Sequence, residues 1–307
     1  MNGKKMRIKW LFIFIHIYKH LTTIQMNAYL VSHNGMGDNL YMIGALRYLI
    51  NFYDKIYFLC KKKYYDNVVL FFDDPNIICV PFDDNNENAA IKYILDEKQH
   101  MNDIFVCGDC HKHYVKSKIT NTKLITTLNQ LNQNHAHDEK YTIEFDTLTR
   151  ETYYFIEGFY KDINLNLTHF YDYFHLPITN EAMTLYNGVK DYYIVFIQLK
   201  SSNGETLNIS NLVKTYLHND AVILICNDKN LYDVPNKTSE VERKFNLCND
   251  FVCNKLVHYT TVIQNSNEIY IIDSCFVGIV LQYLKTNKLK ANKVRIITRD
   301  VASNVIL

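Results

Sequence analysis

Eight short apolar runs, each closed by a polar turn or a proline, leave this chain few folds to choose from. In the first half they fall at 28–31, 55–60, 77–80 and 103–107, and in the second at 192–199, 221–226, 269–272 and 294–297. Continuous rather than alternating hydrophobicity marks strands buried on both faces, as in parallel sheets. Helical patterns alternate with the runs, at Glu87 to Lys98 and Phe276 to Leu284 for example. That alternation signals βαβ units, and right-handed crossovers give a doubly wound arrangement. The second half repeats the first. The expected fold class is therefore α/β, with two Rossmann-like domains facing across a cleft. One covers 26–176 and the other 191–307. Between them, 177–190 reads as a linker, from Pro177, its polar residues and the Asn187-Gly188 turn signal. With 48% hydrophobic residues in 307, the chain can bury a core of that size.

The turn after the first run is the most informative. Tyr29-Leu30-Val31 leads into Ser32-His33-Asn34-Gly35-Met36-Gly37-Asp38. Asp38 then opens a helical pattern with Leu40, Ile43, Leu46 and Ile50 on one face. Glycines allow a sharp turn and close approach to a bound group, and a helix start offers free N–H groups. The stretch thus reads as a ligand site with a carboxylate at its mouth.

Composition excludes several classes. A net charge of +1 gives no electrostatic footprint for nucleic acid. The eight cysteines are scattered, and several sit inside apolar runs (Cys60, Cys79, Cys226), as buried free thiols do. A reducing, cytoplasmic location is the expectation. The segment 1–25 carries Lys4, Lys5, Arg7 and Lys9 before an apolar stretch too short to span a bilayer. It reads as an upstream extension with Met26 as the start, as a peripheral membrane contact through 8–18, or as a secretory signal lacking a cleavage site. The strand that begins just after Met26 favours the first.

In open parallel sheets ligands bind beyond the carboxyl ends of strands. Candidate residues there are Gly35, Met36, Gly37, Asp38 and Asn39 after the first run, and Lys200, Ser201, Ser202 and Asn203 after the fifth. Asn227 follows the sixth, and Asp273 and Ser274 the seventh. Each is also ordinary turn or cap material. A dinucleotide fingerprint fails twice: Leu40 stands where the third glycine belongs, and the second run ends in Lys61-Lys62-Lys63 rather than an acid. Cys107-Gly108-Asp109-Cys110-His111 matches a c-type haem attachment pattern, which needs an exported chain, and with His113 offers four close metal ligands. Structural zinc usually takes two separated pairs. The stretch therefore reads as a strand end and loop at the cleft, with His111 and His113 as contacts for an acceptor. The aromatic stretches 141–160 and 169–175 read as a helical layer on the first sheet, or as a platform for a sugar ring. No Asp-x-Asp element is present, so the commonest metal–diphosphate signature is missing.

The strand–Asn34-Gly35-Met36-Gly37-Asp38-Asn39-Leu40–helix stretch resembles the start of the ADP-heptose:lipopolysaccharide heptosyltransferase family (glycosyltransferase family 9) and its GT-B relatives. Ile271-Ile272-Asp273-Ser274-Cys275 resembles that family's late Asp-Thr-Gly stretch, with Cys275 in place of the glycine. Gln198 to Asn203 sits where the family has its first donor-phosphate loop. The histidine expected beyond Asp-Thr-Gly and the Lys-Trp pair after the phosphate loop are absent. The resemblance implies a metal-independent inverting glycosyltransferase, hexosyl- or heptosyltransferase-like, with no cofactor beyond the nucleotide diphosphate sugar it consumes and a glycan or other hydroxyl acceptor. It gives Asp38 the role of general base, and lets acceptor and donor approach at Gly35 and Gly37. Lys200, Ser201 and Ser202 would take the diphosphate, Asp273 and Ser274 the donor sugar or phosphate, and Asn227 a place near the nucleoside. The alternatives are a non-catalytic carbohydrate- or nucleotide-binding relative of the same fold, and an S-adenosylmethionine-dependent methyltransferase, for which no second motif exists.

Overall fold

The computed structural model describes residues 26–299, apart from Asn34, Gln99, Met101, 135–146 and Pro235; for 131–134 and 147–153 only the backbone is described. The apolar stretch 8–18 and the tail 300–307 lie outside the described residues.

All eight apolar runs are strands, in two separate four-stranded sheets. The first contains β1 (Asn27–Val31), β2 (Lys55–Lys61), β3 (Ile77–Phe82) and β4 (Asn102–Val106), in the order β3-β2-β1-β4. The second contains β5 (Tyr193–Gln198), β6 (Val222–Cys226), β7 (Glu268–Ile272) and β8 (Lys293–Ile297), in the order β6-β5-β7-β8. Every pairing is parallel. Pro81 falls within β3, where the missing N–H is tolerated because β3 is an edge strand. The strand order reverses between β1 and β4 in one sheet and between β5 and β7 in the other. Those switch points open crevices at the carboxyl ends.

The stretch 177–190 that joins the two sheets carries a helix, Asn180–Val189. The Thr179 side chain caps it by accepting the Ala182 N–H, and Ala182 and Val189 are buried. The helix Ser239–Cys248 lies within 228–255, with Val241, Phe245 and Cys248 as its buried apolar stripe. Part of the aromatic stretch 141–160 forms the helix Thr147–Asp162, whereas 141–146 lies outside the described residues.

The helix Cys275–Lys285 fixes how the two halves meet. It is apolar almost all round, with Phe276, Val277, Gly278, Ile279, Val280 and Leu281 buried, as a helix covered on both sides must be. It packs beside its own β7 and against the short helix Met36–Tyr41 of the first half. Gly278 makes the approach possible: a Cβ there would stand 2.6 Å from Leu40 Cδ2 and 2.7 Å from Tyr41 Cε1. Further along, buried Gln282 donates its amide to the Phe170 carbonyl. The backbone N–H of Leu256 donates to Asn67 Oδ1 at 2.9 Å. One contiguous apolar cluster accordingly runs through both halves. A smaller one, with Tyr29, Val31, Ile91 and Leu95, fills the space between the first sheet and the helix Glu87–Lys98. Among the described residues no helix is long and apolar enough to cross a membrane.

Candidate active site

A cleft of about 620 Å³ lies where the carboxyl ends of the two sheets meet. Gly35, Met36, Gly37 and Asp38 enter it after β1, and Tyr64 from beyond β2. Opposite them, Ser202 enters after β5, Asp273, Ser274 and Cys275 after β7, and Thr298 and Arg299 after β8. Tyr41 and Phe155 complete an aromatic flank. The two halves come together at Gly37, where a Cβ would lie 3.5 Å from the Cα of Cys275.

The β1 turn is held from several sides. Asp38 occupies the third position of its helix and accepts the Gly35 N–H at 2.9 Å through Oδ2, half of a capping box. Asn39, fully buried, clamps the Gly35 carbonyl through its amide at 2.8 Å. His33 Nε2 accepts the Cys110 N–H at 3.3 Å, which ties the β1 turn to the β4 turn across the switch point. The His33 ring leaves no room for a side chain at position 108. Gly108 has φ +77°, and a Cβ there would fall 2.1 Å from the imidazole. The same ring lies edge-on to Phe155 and Phe159, with centroids 5.7 and 5.2 Å away.

Burial raises the Asp38 carboxyl above its ordinary value. The Gly35 N–H and the charges of Lys61 and Arg299 oppose the shift without cancelling it. A carboxylate made more basic by its surroundings and open to a cleft can take a proton from a ligand hydroxyl. Burial also pushes the Cys275 thiol up, so it stays protonated at neutral pH.

The structure separates the sequence candidates. Gly35, Met36, Gly37, Asp38, Ser202, Asp273 and Ser274 line the cleft. Asn39 sits behind the turn as its clamp. Lys200 is exposed and pairs through its backbone with Thr206, outside the cleft lining. Ser201 turns into its own loop, towards Asn203 and the Glu205 carbonyl, and Asn203 is exposed. The Asn227 carbonyl accepts the Cys253 N–H, and Asn227 is not part of the lining either. His111 is buried, 3.2 Å from both Glu87 Oε1 and Asn88 Oδ1, and burial holds it below its ordinary value. His113 is exposed, and neither histidine lines the cleft. Cys107 belongs to the core whereas Cys110 is exposed. Sequence reasoning missed Tyr41, Tyr64, Thr298 and Arg299, whereas Phe155 belongs to the aromatic stretch 141–160 that could serve as a sugar platform. For Thr298 and Arg299 a signal existed, since they directly follow a buried strand at its carboxyl end.

Comparison with solved structures places this architecture. The chain matches the E. coli ADP-heptose LPS heptosyltransferase II with 11% identity over 92% of this chain and 95% of that one, at a TM-score of 0.51. A glycosyl transferase family 9 structure from Veillonella parvula DSM 2008 matches with 12% identity over 84% and 78% of the two chains, at a TM-score of 0.46. No family model matches the sequence, and no curated protein matches it. The likeness to the heptosyltransferase is one of fold: two Rossmann-like sheets facing across a cleft, the GT-B arrangement.

Proposed function

We propose that the protein is an inverting glycosyltransferase that moves a sugar from a nucleotide diphosphate sugar to a hydroxyl acceptor, with Asp38 as general base. The observation that carries this reading is the position of Asp38. Its carboxyl, raised by burial, opens the first-half wall of a cleft whose far wall is the start of the Cys275–Lys285 helix. The GT-B arrangement supports it.

In this mechanism the acceptor hydroxyl gives its proton to the Asp38 carboxylate. Its oxygen bonds to the anomeric carbon as the bond from that carbon to the diphosphate oxygen breaks. Attack from the face opposite the leaving group inverts the configuration. A general base of this kind contributes about 100- to 10,000-fold. The diphosphate carries away negative charge, and backbone N–H groups at a helix start stabilise such charge without a metal. The missing Asp-x-Asp element fits that metal-free mode. The carboxylate of Asp273 and the hydroxyls of Ser274 and Ser202 suit the donor's sugar hydroxyls. The aromatic flank at Phe155 and Tyr64 suits the apolar face of an acceptor ring.

The test is transfer itself. Full-length protein is incubated with a panel of nucleotide diphosphate sugars and glycan acceptors, and products are read by mass spectrometry. Asp38→Asn should lower transfer by about 100-fold or more while donor binding persists. Full transfer by Asp38→Asn would rule out this base, and donor binding without transfer by the wild type would favour a non-catalytic binding relative.

A further inference from the structure

We propose that Thr298 and Arg299, the two residues that leave β8, seat the terminal phosphate of the nucleoside diphosphate. The resemblance gave the diphosphate to Lys200, Ser201 and Ser202. The inference rests on the donor class proposed above and names the residues that recognise its leaving group.

Of the three β5-loop residues, Ser202 alone lines the cleft. Lys200 is exposed and outside the cleft, and the Ser201 hydroxyl is spent within the loop. Beyond β8 the situation is the opposite. Thr298 lines the cleft with only 7% of its surface exposed, and its Oγ1 has no hydrogen-bond partner among the described residues. Buried hydroxyls are rarely left unpaired, and an oxygen of a bound ligand would satisfy this one.

Arg299 is the one cationic side chain among the described residues that line the cleft. Its Nε donates to the Asp273 carbonyl at 2.7 Å, which fixes the plane of the guanidinium. Among the described residues it makes no ion pair, so both Nη groups remain for a planar, bidentate anion contact. The third component is the eleven-residue helix Cys275–Lys285. No side chain caps its start at Ser274. The Ser274 hydroxyl is held by the Gln198 amide at 2.6 Å, and Gln198 Oε1, itself buried, is also unpaired among the described residues. A helix start, a pinned guanidinium and an orphaned hydroxyl thus border one cavity wall. Charge grows on the leaving oxygen as the glycosidic bond breaks, so a cation fixed there binds the transition state more tightly than the ground state.

Calorimetric titration of the full chain with ADP, GDP, UDP and CDP, and with the matching monophosphates, tests the assignment. The wild type should prefer one diphosphate over its monophosphate by about tenfold or more, the scale of hydrogen bonds to a charged group. Arg299→Gln should erase that preference while leaving the monophosphate affinity in place, and Thr298→Val should reduce it several-fold. Lys200→Gln should lower it less than Arg299→Gln does. Arg299→Lys keeps a cation and should retain part of the preference; it answers the question if Arg299→Gln melts early without ligand. An undiminished preference in Arg299→Gln, or a larger loss in Lys200→Gln, overturns the assignment and leaves the transferase reading standing. If the wild type binds no diphosphate, both fall together.

Discussion

Tyr160 donates its hydroxyl hydrogen to the carbonyl of Tyr41 at 2.9 Å, from 119 residues further along the chain. The same oxygen accepts the Ala45 N–H at 3.1 Å. Tyr41 and Ala45 are four apart and would bond to each other in an unbroken helix. The inserted hydroxyl takes both groups, so the pattern that reads as one helix from Asp38 to Ile50 is two, Met36–Tyr41 and Ile43–Leu49. The break aims Tyr41 into the cleft and the first helix at Cys275.

Removing the hydroxyl should therefore disturb stability and site together. Tyr160→Phe leaves a buried carbonyl and N–H to find each other or stay unpaired. We expect a loss of about 1–3 kcal/mol, read from urea unfolding. Ligand binding in the cleft should weaken as Tyr41 shifts. A variant as stable as the wild type would show that the helix closes its own bond at no cost.

The contact between the halves is tested at two glycines. A methyl at Gly278 meets Leu40 and Tyr41, both buried, at under 2.8 Å, whereas one at Gly37 meets Cys275 at ordinary contact distance. Gly278→Ala should cost about 1–3 kcal/mol through overpacking. Gly37→Ala should fold with nearly unchanged stability. Equal denaturation midpoints for the two variants would contradict the close helix packing.

Asp38 makes a prediction about pH. Its folded-state carboxyl is raised by burial, so folding disfavours the ionised form. The stability it contributes is complete below the unfolded carboxyl value and is lost as pH rises through the folded one. Asp38→Asn resembles the protonated state. It should match the wild type in acid and exceed it at neutral pH, as denaturation curves from pH 4 to 8 would show. Transfer by the wild type should fall as pH drops through the same raised value. A neutral-pH loss of stability in Asp38→Asn would mean that the Gly35 cap outweighs the cost of burying the charge.

The strands were legible because strands buried on both faces must be apolar throughout, and β5 to β7 are buried at nearly every position. Asp38, Asp273 and Ser274 were legible because a parallel sheet places the residue after a strand at the ligand edge. The same rule could not tell Ser202, which enters the cleft, from Ser201 beside it, whose hydroxyl bonds within the loop. Direction within a turn is set by backbone angles that composition does not encode. Nor could that rule show that the Asn39 amide reaches back to the Gly35 carbonyl. The aromatic stretch that holds Phe155 was legible as a platform, but which of its rings meets the cleft is set by tertiary packing.

If the cleft between Asp38 and Arg299 holds a nucleotide diphosphate sugar, calorimetric titration of the full chain with a panel of these donors should show saturable binding of one donor at one site per chain, displaced by the matching nucleoside diphosphate. No binding by any member of the panel, with S-adenosylmethionine binding instead, would contradict the proposal.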